Sequence, residues 1–346
     1  MLPYSKPVQT VALLVVFALL LVTVVHKVQY GTKMFIPESH SSPSLVLARN
    51  IQKFLFLRPN YSNPYPSRRD RPMMDYESRL LFCWIPKNAC TMIKALMCRK
   101  MKEPVQGAET RTDFWAIHLN CNKNQKHLFV DGKDEHVWAN SSWERWAVIR
   151  DPILRLISGY VEKCFERSLY CYGCPPSNFT CFVLENYDHI RHLSRIGQTP
   201  AKDDKVGLSD HFIPQYWFCD FTAHLKSYTQ LILHNKTAAF GDELRTSFHR
   251  IGYPSDLLDT GWGLDRNRKF LDQTESIQDT ESARQIIDLL KSDILLSDII
   301  FRTYLVDYVK FQIPLPSWTK QMCSGSDNNF YLICLYWNHL VQQSVS

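Results

Sequence analysis

The sequence predicts an α/β protein with a P-loop-like parallel sheet flanked by helices, preceded by one transmembrane helix. Three observations carry this expectation. Two apolar runs, Leu80–Ile85 and Trp146–Ile149, each end at a turn containing proline and lead into residues with helical spacing. A third segment, Glu281–Phe311, repeats apolar residues at spacings of three to five. At the amino terminus no charged residue stands between Lys6 and His26. Strands alternating with helices read as a parallel sheet with helices on its faces.

The elements follow in order. Residues 1–7 form a short tail, and 8–25 an apolar run, unbroken from Val11 to Val25 except at Thr23. That length just crosses a hydrocarbon core about 30 Å thick. A cleaved signal peptide is the competing reading. The run is long for that purpose, and His26-Lys-Val-Gln-Tyr30 offers no small-x-small cleavage site. A signal anchor with the body in the lumen is therefore expected. Residues 26–75 read as a stem, with a serine cluster (Ser39, Ser41, Ser42, Ser44) and the basic run Arg68, Arg69, Arg71. Proline, serine and charge without periodicity mark a linker.

The body is expected over 76–312. Leu80–Ile85 is a buried strand stopped by Pro86, and Met92, Ile93, Leu96 and Met97 give a helix over Thr91–Met101. Trp146–Ile149 is a second strand. Asp151 then caps a helix with Pro152 in its first turn and an apolar face of Ile153, Leu156, Ile157, Tyr160 and Val161. Ala238–Phe240 is a third strand and Glu281–Phe311 a helix. The aromatic, apolar stretch Phe330–Val341 is too short to span a membrane and reads as packed on the body, within an extension over 313–346.

Composition narrows the setting. With 45% hydrophobic and 21% charged residues a folded body is expected. A net charge of +6 suits an acidic ligand, whether phosphorylated cofactor, polyanionic glycan or nucleic acid, without choosing among them. Sequons at Asn60, Asn140, Asn178 and Asn235 and a total of 11 cysteines favour a secretory, oxidising route. Cys164, Cys171, Cys174 and Cys181 are read as disulfides rather than a zinc knuckle, with the pairing open. Cys83, Cys90 and Cys98 imply a buried free thiol or a distant partner such as Cys219.

Two segments carry chemistry. Between the first strand and its helix stands Pro86-Lys87-Asn88-Ala89-Cys90-Thr91-Met92. In such a turn the backbone N–H groups and the helix N-terminus converge on one point, which is an anion site. Lys87 adds charge and Thr91 a hydroxyl. The glycines and the Lys-Ser/Thr pair of a nucleoside-triphosphate loop are missing, which disfavours a kinase. An ordinary capped turn is the bland alternative. The second segment is Arg150-Asp-Pro-Ile-Leu-Arg155-Leu-Ile-Ser158-Gly-Tyr160. Arg150 ends a strand, where α/β folds bind ligands. Arg155 and Ser158 share a helix face, where guanidinium and hydroxyl donors suit a phosphate. Pairing of Arg155 with Glu162 or Asp151 at the surface is the alternative.

Together WIPKNACT and VIRDPILRLISGY resemble the 5′-phosphosulfate-binding and 3′-phosphate-binding segments of sulfotransferases. They are most similar to the Golgi carbohydrate family of chondroitin and dermatan 4-O-sulfotransferases and the HNK-1 sulfotransferase. The run through Asp210-His-Phe-Ile-Pro-Gln215 and Tyr304-Leu-Val-Asp-Tyr308 looks like a divergent nematode branch. The resemblance implies the sulfotransferase fold and 3′-phosphoadenosine 5′-phosphosulfate (PAPS) as donor. It places Pro86–Met92 on the 5′-phosphosulfate, with Lys87 on the reacting oxygens, and Arg150 and Ser158 on the 3′-phosphate. It implies a lumenal glycan acceptor in the Golgi, with O-4 of N-acetylgalactosamine in a chondroitin-type glycosaminoglycan as the usual target. No metal and no nucleic acid enter this reading, because the donor site supplies its own positive charge.

The acceptor hydroxyl needs a base. His118, His127, His136 and His211 are candidates because imidazole titrates near working pH. His118 lies between the two segments, and His211 in the segment the resemblance also marks. Lys94, Arg99, Lys100 and Lys102 form a basic stretch that either meets a polyanion or is a solvated helix face. The competing class is a non-catalytic glycan-binding protein on the same fold.

Overall fold

The computed structural model describes residues 72–100, 135–196, 208–234, 238–253, 280–324 and 331–345. In chain order these residues form strand β1 (Met73–Asp75), β2 (Leu80–Cys83), helix α1 (Cys90–Lys100), α2 (Glu135–Ala139), β3 (Glu144–Arg150) and α3 (Pro152–Tyr160). A π-turn over Val161–Phe165 leads towards α4 (Phe179–Ile196). Then come 3-10 turns at Ser209–His211 and Gln215–Trp217, α5 (Phe221–His224), β4 (Gln230–His234) and α6 (Ala238–Arg250). The chain closes with α7 (Glu281–Ser292), α8 (Ile294–Phe311), α9 (Trp318–Met322) and α10 (Leu332–Val345).

The sheet order is β1-β2-β3-β4. β2, β3 and β4 are parallel, with Phe82 beside Trp146 and Trp146 beside Gln230. β1 is antiparallel to β2, Met73 facing Phe82, so the sheet is mixed rather than wholly parallel. Asp75 makes the hairpin: its Oδ1 accepts the N–H groups of Glu77 (3.1 Å) and Ser78 (3.3 Å). The sheet thus takes in three residues that the sequence reading assigned to the stem.

Side chains alternate across the strands, as a period of two requires. Phe82, Trp146, Val148 and Ile232 pack on one face with Met92, Ile93 and Leu96 of α1 and Phe240, Leu244 and Phe248 of α6. Cys83, Ala147 and Ile149 pack on the other with Ile153, Leu156 and Ile157 of α3, and with α4 and α8. Helices on both faces bury β2 and all of β3 beyond its first residue. This explains why LLFC and WAVI read as continuous apolar runs.

Two expected elements are corrected. Ala238–Phe240 is the first turn of α6; the third parallel strand is β4, a few residues earlier. Its apolar run, Leu231-Ile232-Leu233, is only three residues long and sits on an edge, so its hydrophobic pattern is weak. Glu281–Phe311 is two helices. Asp293 ends α7 and caps α8, its Oδ1 accepting Leu296 N–H at 2.9 Å. At the carboxyl end α10 buries Leu332, Ile333 and Cys334. Its Ile333 N–H donates to Asp298 of α8 at 2.9 Å.

Disulfides join Cys164 to Cys171, Cys174 to Cys181, Cys323 to Cys334, and Cys83 to Cys219 across 136 residues. Cys90 is a buried free thiol. The side chain of Cys98 is not among those described. Among the described residues no helix is long and apolar enough to cross a membrane. The expected span at 8–25 lies outside them.

Candidate functional site

Because β2, β3 and β4 are parallel, their carboxyl ends share one edge of the sheet, and the segment Trp84–Ala89 leaves β2 at that edge. The loop's carbonyl oxygens are tied to the protein. Pro86 O accepts Arg155 Nε at 3.0 Å, and Lys87 O accepts Arg150 Nη1 at 2.7 Å. Asn88 turns its amide inward, donating to Val148 O at 2.8 Å and Gln215 Oε1 at 2.6 Å. Helix α1 begins directly after Ala89, and the N–H groups of its first turn have no intrahelical acceptor. Carbonyls held by the body and amides left for a ligand are the polarity an anion site needs.

Lys87 (φ 72°) and Ala89 (φ 56°) adopt left-handed backbone. Glycine usually takes such positions, and a non-glycine residue there costs about 1–3 kcal/mol. The loop therefore has the backbone shape for which nucleotide-binding loops use glycine, held instead by the tethers to Arg150, Arg155 and Gln215.

Lys87's ammonium pairs with the carboxylate of Glu162, on the π-turn after α3. Burial pushes the Lys87 pKa down; Glu162 opposes this, and Arg150 adds to it. Burial works to raise Glu162, but the charge of Lys87 and the bond from Lys163 outweigh it and hold the carboxylate down to about 2. Cys90 lies beneath the loop with its thiol pKa raised by burial, so it stays neutral.

Arg150 ends β3, as the sequence predicts. Its backbone is clamped by Gln215, whose Oε1 accepts Arg150 N–H at 3.0 Å and whose Nε2 donates to Arg150 O at 2.8 Å. Gln215 is itself held by Asp307 of α8, which accepts the N–H groups of Gln215 and Tyr216, both at 2.8 Å. Burial raises the Asp307 pKa to about 6 against those donors. Asp151 caps α3, accepting Leu154 N–H at 2.9 Å and Tyr308 Oη–H at 3.1 Å.

Arg155 departs from both roles weighed for it. It is buried, and it donates to Pro86 O, Ile213 O (2.7 Å) and Asp210 O (3.0 Å) while lying over the Phe218 ring. It joins the loop to the 210–218 segment, and Glu162 pairs with Lys87 instead. Ser158 is buried on α3, and its hydroxyl bonds no other described residue. His211 ends the 3-10 turn that packs against Gly159 of α3. His118, His127 and the side chain of His136 lie outside the described residues. The basic stretch is corrected at Lys94 and Lys100; the side chain of Arg99, and Lys102 as a whole, lie outside the described residues. Lys94 is buried, and Lys100 pairs with the buried carboxylate of Asp75 at 2.9 Å.

The site thus brings together Pro86–Thr91, Arg150 and Glu162, with Arg155, Gln215 and Asp307 behind them. Residues 70–312 match the model of the sulfotransferase family. The chain belongs to that family. It is similar to three proteins of Caenorhabditis elegans. The uncharacterized protein C18B2.2 is 26% identical over 71% of this chain and 72% of its own length. The putative sulfotransferase vep-2 is 27% identical over 52% and 58%, and the carbohydrate sulfotransferase chst-1 29% identical over 42% and 46%. The alignments thus span about half the length of the latter two relatives. No solved structure matches. In this sulfotransferase both sequence segments fall within the matched residues and meet at one edge of the sheet. Sequence reasoning gave no role to Gln215 or Asp307, and named Glu162 only as one of two alternative surface partners of Arg155. Gln215 and Asp307 stand in segments that the resemblance marks, which was the available pointer. Glu162 had none, because its partner is 75 residues away.

Proposed function

We propose that the chain transfers a sulfuryl group from PAPS to a hydroxyl of a carbohydrate. The observation that carries this is the Pro86–Thr91 loop, which has its carbonyls tied back by Arg150 and Arg155 and leads directly into the N-terminus of α1. That arrangement fits the phosphosulfate end of the donor. Resemblance assigns Arg150 and Ser158 to the 3′-phosphate. The acceptor oxygen attacks sulfur, the bond from sulfur to the phosphate oxygen breaks, and adenosine 3′,5′-bisphosphate leaves. The hydroxyl proton passes to a base, for which His118 and His211 are the candidates. Charge that grows on the leaving phosphate is met by Lys87 and the N–H groups of the first turn of α1, so positioning and electrostatics supply most of the catalysis.

The name of the chst-1 relative supports a glycan acceptor. Resemblance favours O-4 of N-acetylgalactosamine in a chondroitin-type chain. The setting we propose is the Golgi membrane, with residues 8–25 as a type II anchor, 26–75 as a stem leading to the folded body, and 313–346 as an extension on it.

The test is transfer of radiolabelled sulfate from PAPS by the purified full-length chain to a panel of desulfated glycosaminoglycans. Incorporation into desulfated chondroitin supports the reading; none into any glycan, without binding of the bisphosphate, overturns it. Lys87→Ala is expected to lower transfer at least about 100-fold, the scale of losing one transition-state donor, with the circular dichroism spectrum unchanged. For the base, the rate–pH profiles of His118→Ala and His211→Ala decide: the true base loses its acidic limb.

A further inference from the structure

Lys87 is held by a residue that the donor reading does not use. Glu162 stands on a turn whose backbone closes with an i+5 bond, Glu166 N–H to Val161 O at 2.9 Å. Such π-turns are uncommon and occur often at functional sites. The turn widens the chain immediately after α3 and presents Glu162 to the loop. One carboxylate oxygen takes Lys87; the other takes Lys163 at 2.6 Å and Arg167 at 3.5 Å. Glu162 is therefore gripped from two sides and cannot swing freely.

The groups acting on Lys87 come from three elements: Glu162 on the π-turn, Arg150 on β3, and Cys90 at the start of α1. Arg150 is a cation and the buried Cys90 thiol is neutral, so Glu162 supplies the negative charge among them. An ammonium buried beside a guanidinium loses its proton readily without such a partner.

We propose that Glu162 is a positioning residue that keeps Lys87 charged and aimed into the loop while the donor site is empty, and that an arriving phosphosulfate takes over its place on the ammonium. The second half rests on the donor reading above; the first does not. Glu162 is no candidate for the acceptor's base in this state. Lys87 and Lys163 hold its proton affinity far below working pH, and a base works best with a pKa near that pH.

Competitive trace labelling of the full-length protein with acetic anhydride, followed by mass spectrometry of the Lys87 peptide, reads the pH at which that amine loses its proton, with no donor present. Glu162→Gln is expected to lower the midpoint by about 1–3 pH units, the usual effect of a close opposite charge. Glu162→Asp is expected to lower it less, and Arg167→Ala to leave it in place. An unchanged midpoint in folded Glu162→Gln overturns the proposal. If that variant does not fold, an unchanged midpoint in Glu162→Asp does so. A second arm follows bisphosphate binding by calorimetry from pH 6.5 to 9.5. Above its lowered midpoint Glu162→Gln is expected to lose affinity about tenfold per pH unit while the wild type stays level; parallel profiles overturn the exchange. Absence of binding by the wild type overturns the donor reading, and the exchange with it, and leaves the labelling result standing on its own.

Discussion

At the scale of single residues, the donor loop illustrates how tethers substitute for composition. Lys87 and Ala89 sit in left-handed backbone with side chains that disfavour it. At Lys87 the side chain is functional, so the strain comes with it. At Ala89 the side chain is a single methyl at the margin of the core between the sheet, α1 and α6, and the neighbouring tethers act through Pro86, Lys87 and Asn88. Ala89→Gly is therefore expected to raise stability by up to about 1 kcal/mol, since removal of Cβ relieves more strain than the added chain entropy costs. Urea denaturation reads this directly; a loss would show that the Ala89 methyl packs usefully. Arg155 teaches a complementary lesson. A guanidinium at helical spacing from a serine reads as a phosphate ligand, yet its donors go to the carbonyls of Pro86, Ile213 and Asp210. Which partners a buried arginine finds is decided by segments 55 to 69 residues away, which no local pattern reports.

At the scale of elements, α3 and the 208–218 segment must approach closely for Arg155 to bridge them. Gly159 permits this. A Cβ there would lie 2.8 Å from Phe212 Cε1 and 3.3 Å from the His211 carbonyl. Alanine is favoured over glycine inside a helix by about 1 kcal/mol. The overlap costs about 1–3 kcal/mol because the Phe212 ring is fully buried and packed on its own neighbours. Packing wins, so Gly159→Ala is expected to lower the unfolding midpoint and weaken bisphosphate binding together. A stabilised Gly159→Ala would mean that the two elements move apart without loss. The Cys83–Cys219 bridge ties the end of β2 to the residue that follows the 208–218 segment. Closing a loop of that length contributes on the order of 5 kcal/mol in the chain-entropy picture.

At the scale of the whole molecule, the buried carboxylates set how stability responds to pH. Asp151 and Asp307 are pushed by burial from 3.8 to about 6, so the folded state prefers them protonated. Stability should therefore rise as pH falls through 6 towards 3.8, by on the order of 3 kcal/mol for a shift of that size at one group. Glu162 acts in the opposite sense. Its carboxylate is held down to about 2 against an ordinary 4.5, so its contribution is present above 4.5 and is lost as pH falls towards 2. The two trends cross, and a maximum at about pH 4 is expected in urea midpoints measured from about pH 2.5 to 8. A maximum above pH 7 would show that these carboxylates do not dominate.

The sequence by itself determined the β2–loop–α1 and β3–α3 units, the capping of α3 by Asp151, the preference for disulfides, and the position of Lys87 and Arg150. Each of these is written in neighbouring residues: an apolar run, a proline stop, a capping carboxylate, a helical spacing. The tertiary structure decided the rest. It made β4 rather than Ala238–Phe240 the third parallel strand, added β1 in the antiparallel sense, turned Arg155 inward, and drew Gln215 and Asp307 behind the loop. It also set Glu162 against Lys87. The physical reason is common to all of them. Strand pairing, and the satisfaction of buried polar groups, depend on partners brought together from distant parts of the chain. A buried charge or carbonyl accepts whichever partner the packing delivers.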